Sequence, residues 1–178
     1  AWQWKANGGT RTTFTESGAN PGGGYQVNTT AGFSIVDYTG TGSAGTVSHG
    51  LGVVPQVIIV KSRSGAANSD GDWNVYHHKN TSAPETDFLI LNETTATQDA
   101  ANRWNDTAPT SSVFTVGTTT RVNEDADNYI AYCFAEKQGY SKFGSFVGNG
   151  NDAGPFIYTG FKPSLVIVKR TNNSGAWH

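Results

Sequence analysis

The sequence predicts an all-β protein, an antiparallel β-sandwich of jelly-roll or lectin-like build, and three observations favour this fold class. Only 15% of the 178 residues are charged, while 22 are glycine, which is typical of short strands and tight turns. No ten-residue window combines helical periodicity with capping residues, and the best, residues 99–104, spans about one turn. Between residues 31 and 137, seven or eight strand-like segments recur at roughly ten-residue spacing, as in sandwiches.

A near repeat of one aliphatic segment organises the chain. Residues 52–61 are Gly-Val-Val-Pro-Gln-Val-Ile-Ile-Val-Lys, and residues 160–169, 108 positions later, are Gly-Phe-Lys-Pro-Ser-Leu-Val-Ile-Val-Lys. The same offset pairs Tyr38 with Phe146 without a gap. Because an aliphatic run suits a strand that is covered on both faces, we predict that both copies are core strands of a repeated unit. The alternative is a chance match between two unrelated strands.

A second echo predicts how the chain divides. Residues 1–4, Ala-Trp-Gln-Trp, resemble residues 131–134, Ala-Tyr-Cys-Phe. We therefore expect residues 1–30 to contain the end of a preceding repeat and a Gly/Thr-rich linker, either loosely structured or forming an edge hairpin. Residues 31–137 are expected to form one complete sandwich repeat, and residues 138–178 to begin the next. We interpret the chain, which has no methionine, as a fragment of a tandem-repeat protein.

The first half of the complete unit holds three predicted strands. Residues 33–38, Phe-Ser-Ile-Val-Asp-Tyr, alternate as a half-buried strand does and end in a Thr-Gly-Thr-Gly turn. Residues 46–49 form a short partner strand. Residues 56–62 follow Pro55 as the aliphatic core strand.

The second half begins after a polar loop. Residues 73–77 alternate, which predicts Trp73, Val75 and His77 on one face. Apolar segments then predict the remaining strands, at 87–91, 113–116 and 129–136.

Composition excludes several function classes. The net charge of −2 gives no basic face for nucleic acid, and the apolar runs are too short for a membrane span. Cys133 is the single cysteine, so it forms no internal disulfide and is expected to be buried filler.

Catalytic motifs are missing from the sequence. It contains no Gly-x-Ser-x-Gly elbow, no His-Glu-x-x-His pair and no phosphate loop. His77 and His78 are adjacent, so on a strand they point to opposite faces and cannot share a metal. We therefore predict no catalytic residues, no enzyme activity and no cofactor.

Two acidic clusters are candidate cation sites. Asp70 and Asp72 flank a glycine, and Glu124, Asp125 and Asp127 lie in one turn. Carboxylate oxygens of this kind bind calcium, although the spacing does not fit an EF-hand and hairpin turns use the same residues. A glycosidase pair of acids is a further alternative that nothing in the spacing favours.

Trp104, together with Asp70 and Asp72, is the candidate ligand-binding set. Exposed aromatic rings stack on apolar sugar faces while neighbouring polar groups bind hydroxyls. The alternative is that the tryptophans fill the core, which the matching repeat positions of Trp73 and Trp177 favour.

Several motifs taken together resemble one known family. They occupy residues 4–9, 30–36, 39–42, 49–52, 131–135, 139–144 and 154–161. The sequence resembles repetitive proteins of tailed bacteriophages, especially marine ones, that carry an uncharacterised repeat domain and are taken to be virion structural or tail-fibre-like components. Gln3 departs from the pattern, because a cysteine like Cys133 is expected there.

The resemblance implies a non-enzymatic module, located on the virion or otherwise extracellular, that presents or contacts a host surface. Its implied partners are other copies of itself in a homo-oligomer, other virion proteins and a host-surface glycan. A carbohydrate-binding lectin-like module is the main alternative, and a polysaccharide-degrading tail-spike enzyme is the next.

Overall fold

The computed structural model describes residues 5, 6, 8–64 and 71–178. Within these ranges the fold is nearly all β, with ten strands and one helical turn, α1 (Thr120–Asn123). The strands are β1 (Thr12–Phe14), β2 (Gly22–Asn28), β3 (Phe33–Thr39), β4 (Gly45–Ser48), β5 (Val57–Ser62), β6 (Trp73–His77), β7 (Asp87–Ile90), β8 (Gln98–Asp99), β9 (Val113–Val116) and β10 (Asn128–Phe134). The predicted all-β, antiparallel class is confirmed.

Eight strands form one sheet, in the order β1-β2-β3-β10-β5-β6-β7-β8, and β4 pairs with β9 in a second sheet. The last strand in sequence, β10, lies in the middle. It is antiparallel to β3 on one side and to β5 on the other, with Tyr132 opposite both Ile35 and Ile59. Because β3 and β5 are separated by β10, neither can pair with the other.

One face of the large sheet carries the main core. Alternate residues of its strands point to this face, as the two-residue period of a strand requires. The sheet contributes Val36, Tyr38, Ile58, Val60, Tyr76, Phe88, Ile90, Tyr129, Ala131 and Cys133. The covering layer contributes Val47, Leu51, Trp104, Phe114, Val116 and Val122. Full burial of a valine, leucine, isoleucine or phenylalanine side chain stabilises a fold by about 1.5–3 kcal/mol.

The Gly/Thr-rich segment before residue 31 forms an edge hairpin, which is one of the two predicted alternatives. β2 pairs with β3 from Gly22 opposite Thr39 to Asn28 opposite Phe33. A Cβ on Gly23 would lie 2.1 Å from the Asp37 carbonyl oxygen, so this close pairing requires a glycine. The main sheet therefore extends beyond the predicted unit boundary at residue 31.

The prediction that residues 160–169 contain a buried core strand is wrong for this structure. Leu165, Val166 and Ile167 are 39%, 62% and 58% exposed, whereas Ile58 and Val60 of β5 are 1% and 0% exposed. The physical reason lies in the strand order. In the main sheet, β10 pairs with β5 along one edge. Within the described residues, no strand equivalent to β10 lies beside residues 165–169.

One pairing of the main sheet nevertheless recurs near the end of the chain. Lys61 lies opposite Trp73 in the β5–β6 pair, and an isolated antiparallel bridge joins Lys169 to Trp177. Beside it, the Val168 N–H donates to the His178 carbonyl at 2.8 Å and the His178 N–H to the Val168 carbonyl at 3.0 Å. Nowhere in the described ranges is there a helix long and apolar enough to cross a bilayer.

Candidate functional site

Trp104 lies in the core and cannot stack on a sugar. Its side chain is 2% exposed and packs edge-to-face on Tyr76, with ring centroids 6.2 Å apart. Its indole N–H donates to the Asp87 carbonyl at 3.0 Å. The candidate binding role of Trp104 is therefore corrected to a core role, because the loop that carries it folds onto the sheet.

Asp72 is committed to an internal ion pair. It is 9% exposed, and its carboxylate accepts a hydrogen bond from the Arg121 guanidinium. The pair connects the loop before β6 to α1. Asp70, the other member of the predicted pair, lies outside the described residues.

The acidic turn after α1 is held together by backbone and tyrosine contacts. The Glu124 N–H donates to the Tyr129 hydroxyl at 2.7 Å, and Gly40 exchanges backbone hydrogen bonds with Ala126 and Asp127. Across the described parts of the chain, no group of three or more His, Cys, Asp or Glu residues is placed to hold a metal ion. The calcium candidates Glu124, Asp125 and Asp127 therefore do not converge.

His49 has a structural role. It is 0% exposed, its Nδ1 accepts from the Leu51 N–H at 3.2 Å, and its Nε2 donates to the Thr110 carbonyl at 3.2 Å. Burial lowers its pKa, which matches a neutral ring that accepts at one nitrogen and donates at the other.

His77 is also held neutral. Burial, reinforced by neighbouring His78, lowers the pKa of His77 to about 4. Its Nδ1 accepts from the Lys79 N–H at 3.1 Å, which fixes the turn that follows β6.

The second face of the large sheet carries a pair of parallel aromatic rings. Trp73 of β6 and Tyr132 of β10 have ring centroids 6.2 Å apart and an interplanar angle of 18°. Both are half-buried, and β5 runs between them with Ile59 and Lys61 on the same face. We call this pair the Trp73–Tyr132 platform.

A second distinct surface is the 140–167 segment, which we define as residues 140 to 167. Nine of the eleven exposed large hydrophobic residues in the described chain belong to it. They are Tyr140, Phe146, Val147, Phe156, Ile157, Tyr158, Leu165, Val166 and Ile167. From 142 to 167, in the chain as described, there is no strand and no backbone–backbone hydrogen bond.

The two ends of this segment are anchored to residues that follow strands of the main sheet. At the start, the Phe143 N–H donates to the Glu136 carboxylate at 2.8 Å, and His78 Nε2 donates to the Phe143 carbonyl at 3.1 Å. Beyond the end, the Lys169 ammonium donates to the Thr94 carbonyl at 3.1 Å. Between these anchors, a cleft of about 590 Å³ separates the segment from His77 and Leu89.

Both surfaces escaped sequence reasoning. The alternation of residues 73–77 placed Trp73 on one face correctly. Nothing in the sequence showed that β10, which carries Tyr132, lies only one strand away from β6. The aliphatic run at 165–169 predicted a buried strand, whereas Leu165, Val166 and Ile167 are exposed in the structure. The charge pattern gave no signal for either surface.

Comparison with known proteins gives one match. The model of a family described as "Domain of unknown function (DUF7483)" matches residues 1–178. No curated protein and no solved structure matches the chain.

Proposed function

The chain belongs to the DUF7483 family, and we propose that this domain is a non-enzymatic structural module of a bacteriophage particle, working through assembly and surface contact. The 140–167 segment is the observation that carries the proposal. Clustered exposed apolar side chains mark interaction sites in soluble proteins, and backbone that is not paired in a sheet is a template for pairing with another chain. The resemblance of several motifs to phage virion proteins supports the same role.

The use of the buried polar side chains also supports a structural role. Asn123 is 0% exposed and donates to the carbonyls of Ser43 at 2.7 Å and Gly117 at 2.9 Å. Its Oδ1 accepts from the Thr41 N–H at 2.9 Å. Together with His49, it ties loops to the core and presents no reactive group to solvent.

The proposal includes the finer architecture. The β4–β9 pair over the main core is consistent with the second sheet of a lectin-like or jelly-roll sandwich. A lysine lies opposite a tryptophan in both places, Lys61 opposite Trp73 and Lys169 opposite Trp177. This shared pairing supports a repeated unit, because a shift of one residue in either strand would move its side chains to the other face of the sheet.

Particle association tests the proposed role. Antibodies raised against the purified chain should label purified virions of a phage that encodes it, and peptides of the chain should be found in those particles by mass spectrometry. A protein found only in infected-cell extracts, and never in washed particles, would contradict a virion role.

The Trp73–Tyr132 platform favours carbohydrate binding as a second candidate function. Parallel, half-buried rings provide stacking surface for a sugar, and the Arg11–Asp37 ion pair, with Arg11 Nε 2.8 Å from Asp37 Oδ1, supplies polar groups on the same sheet. On an array of bacterial polysaccharides, Trp73→Ala should lose binding. Phe156→Ala, which changes a residue that is 90% exposed, is the matched control. Release of reducing ends from the bound polysaccharide would instead favour the enzyme alternative.

A further inference from the structure

We propose that His49 is an acid-sensitive latch, which holds two loops together while its ring is neutral and lets them open locally when the ring gains a second proton. The first loop is residues 49–54, between β4 and β5, and the second is residues 105–112, before β9. The large sheet stays folded while these loops open. The latch is independent of the proposed particle role.

The neutral ring of His49 is bound at both nitrogens by main-chain groups. Its Nδ1 accepts from the Leu51 N–H of the first loop, and its Nε2 donates to the Thr110 carbonyl of the second loop, both at 3.2 Å. The His49 N–H also donates to the Ser112 carbonyl at 3.2 Å. His49 therefore closes the first loop on itself and fastens it to the second.

A second proton on the ring is incompatible with this arrangement. An imidazolium has an N–H donor at each nitrogen, so the Nδ1–H would point at the Leu51 N–H, donor against donor. The side chain is 0% exposed, so the charge would also be buried, which is costly. Burial accordingly lowers the pKa of His49, while the hydrogen bond to Thr110 opposes that shift. The second proton therefore binds in the open form, where the ring reaches water.

The elements around the latch carry few other ionisable groups. Residues 45–55 and 107–119, which include β4, β9 and most of both loops, hold no ionisable side chain other than that of His49. From β2, the phenol of Tyr25 packs against the first loop, since a Cβ on Gly50 would lie 2.1 Å from its ring. Asp106 is exposed near the start of the second loop. Protonation of His49 is therefore the charge change that occurs inside the latch.

Both loops open at low cost because little of them is buried. Residues 52–54 are exposed, and Val53 and Val54 are each 45% exposed. In the second loop, residues 105–108 and 110–112 are exposed as well. Segments with few buried contacts open without global unfolding, so release of the latch leaves the hydrogen-bonded strands of the large sheet in place.

Residue-resolved hydrogen exchange by NMR at pH 7 and pH 5 measures the latch directly. After correction for intrinsic exchange rates, protection of the His49 and Leu51 amides should fall several-fold, and by at most about 25-fold, the limit for one histidine that titrates near 6.5 in the open form. The amide of Val60, in the middle of the large sheet, should remain far better protected at pH 5. A fall below about twofold at Leu51, or equal protection of Leu51 and Val60, would overturn the proposal.

A matched pair of histidine variants separates the latch from general loss of stability in acid. In His49→Asn, the side-chain oxygen accepts from the Leu51 N–H, as in an Asx turn, and the side chain does not titrate. Protection of Leu51 should then change less than about twofold between pH 7 and pH 5. In His77→Asn the latch is intact, so Leu51 should respond as in the wild type. A response that survives in His49→Asn, or that disappears in His77→Asn, contradicts the latch.

Titration of the wild-type histidine rings by NMR supplies a test that needs no variant, for use if far-UV circular dichroism shows His49→Asn to be unfolded. The His49 ring should titrate below about 6.5, and its midpoint should coincide with the loss of protection at Leu51. A His49 ring that stays neutral while Leu51 loses protection, or that titrates while Leu51 stays protected, would show that the ring does not control the loops.

Discussion

Trp104 shows how a single side chain joins the two layers of the fold. Its ring fills the space between the sheet and the covering loops, and its N–H satisfies the Asp87 carbonyl. A buried carbonyl without a donor is costly, so the indole contributes both packing and a hydrogen bond. Packing and hydrogen bonding together account for a tryptophan at this position, and no ligand is needed to explain it.

Substitution of Trp104 should separate these two contributions. Trp104→Phe keeps much of the packing and removes the donor, so we expect it to lower the free energy of unfolding by about 1–2 kcal/mol. Trp104→Ala should lower it by about 3–5 kcal/mol. Urea unfolding followed by far-UV circular dichroism measures both. A loss below about 1 kcal/mol for Trp104→Ala would contradict its core position.

The buried histidines predict loss of stability in acid. The folded-state pKa of His49 is lowered, and that of His77 is lowered to about 4, while in the unfolded chain a histidine titrates near 6.5. Below about pH 6.5 the unfolded state therefore binds more protons than the folded state, and stability falls as pH falls. The contribution of His77 stops changing below about pH 4.

Between pH 7 and pH 5 we expect the free energy of unfolding to drop by roughly 1–2 kcal/mol. His77→Asn keeps an acceptor for the Lys79 N–H and cannot titrate, so its slope should be shallower. Urea titrations at several pH values measure the effect. A stability that is constant or rises toward pH 5 would contradict it.

At the scale of elements, the position of β10 depends on close approach by its neighbours. Gly32, just before β3, has φ of +66°, and its carbonyl accepts from the Ala135 N–H at 2.7 Å. A Cβ on Gly32 would lie 2.3 Å from the Ala135 carbonyl oxygen. The contact holds the end of β10 against the start of β3.

A matched pair of glycine substitutions tests this contact. Gly32→Ala and Gly52→Ala both force alanine into a positive φ, +66° and +72°, which costs about 1 kcal/mol each. Only Gly32 meets backbone, since a Cβ on Gly52 would have nothing within 4 Å. We expect Gly32→Ala to be about 2 kcal/mol more destabilising than Gly52→Ala, measured by chemical denaturation. Equal losses would argue against the close contact.

At the scale of the whole molecule, protection of the backbone is expected to be uneven. β10 and β5 lie in the middle of a hydrogen-bonded sheet, while the 140–167 segment has exposed apolar side chains. Regions with few buried contacts and solvent-exposed backbone open at low free-energy cost.

Hydrogen exchange at low protein concentration should therefore be slowest in β10 and β5 and fast in residues 144–167. Peptide-resolved exchange with mass spectrometry measures both. Slow exchange throughout residues 144–167 would contradict this expectation.

The sequence by itself determined the fold class and the location of most strands, because alternation and turn residues act over a few neighbouring positions. Residues 33–38, 73–77 and 113–116 were predicted on this basis and lie in β3, β6 and β9, and Cys133 is buried as expected. Local pattern also gave the edge hairpin as one of two alternatives for the segment before residue 31.

Only the tertiary structure decided which strands are neighbours and what each apolar run contacts. It placed β10 between β3 and β5, buried Trp104, and left Leu165, Val166 and Ile167 exposed although they echo a core strand. A strand is buried only when partners from distant parts of the chain lie beside and above it, and an aliphatic run records its own hydrophobicity but not the presence of those partners.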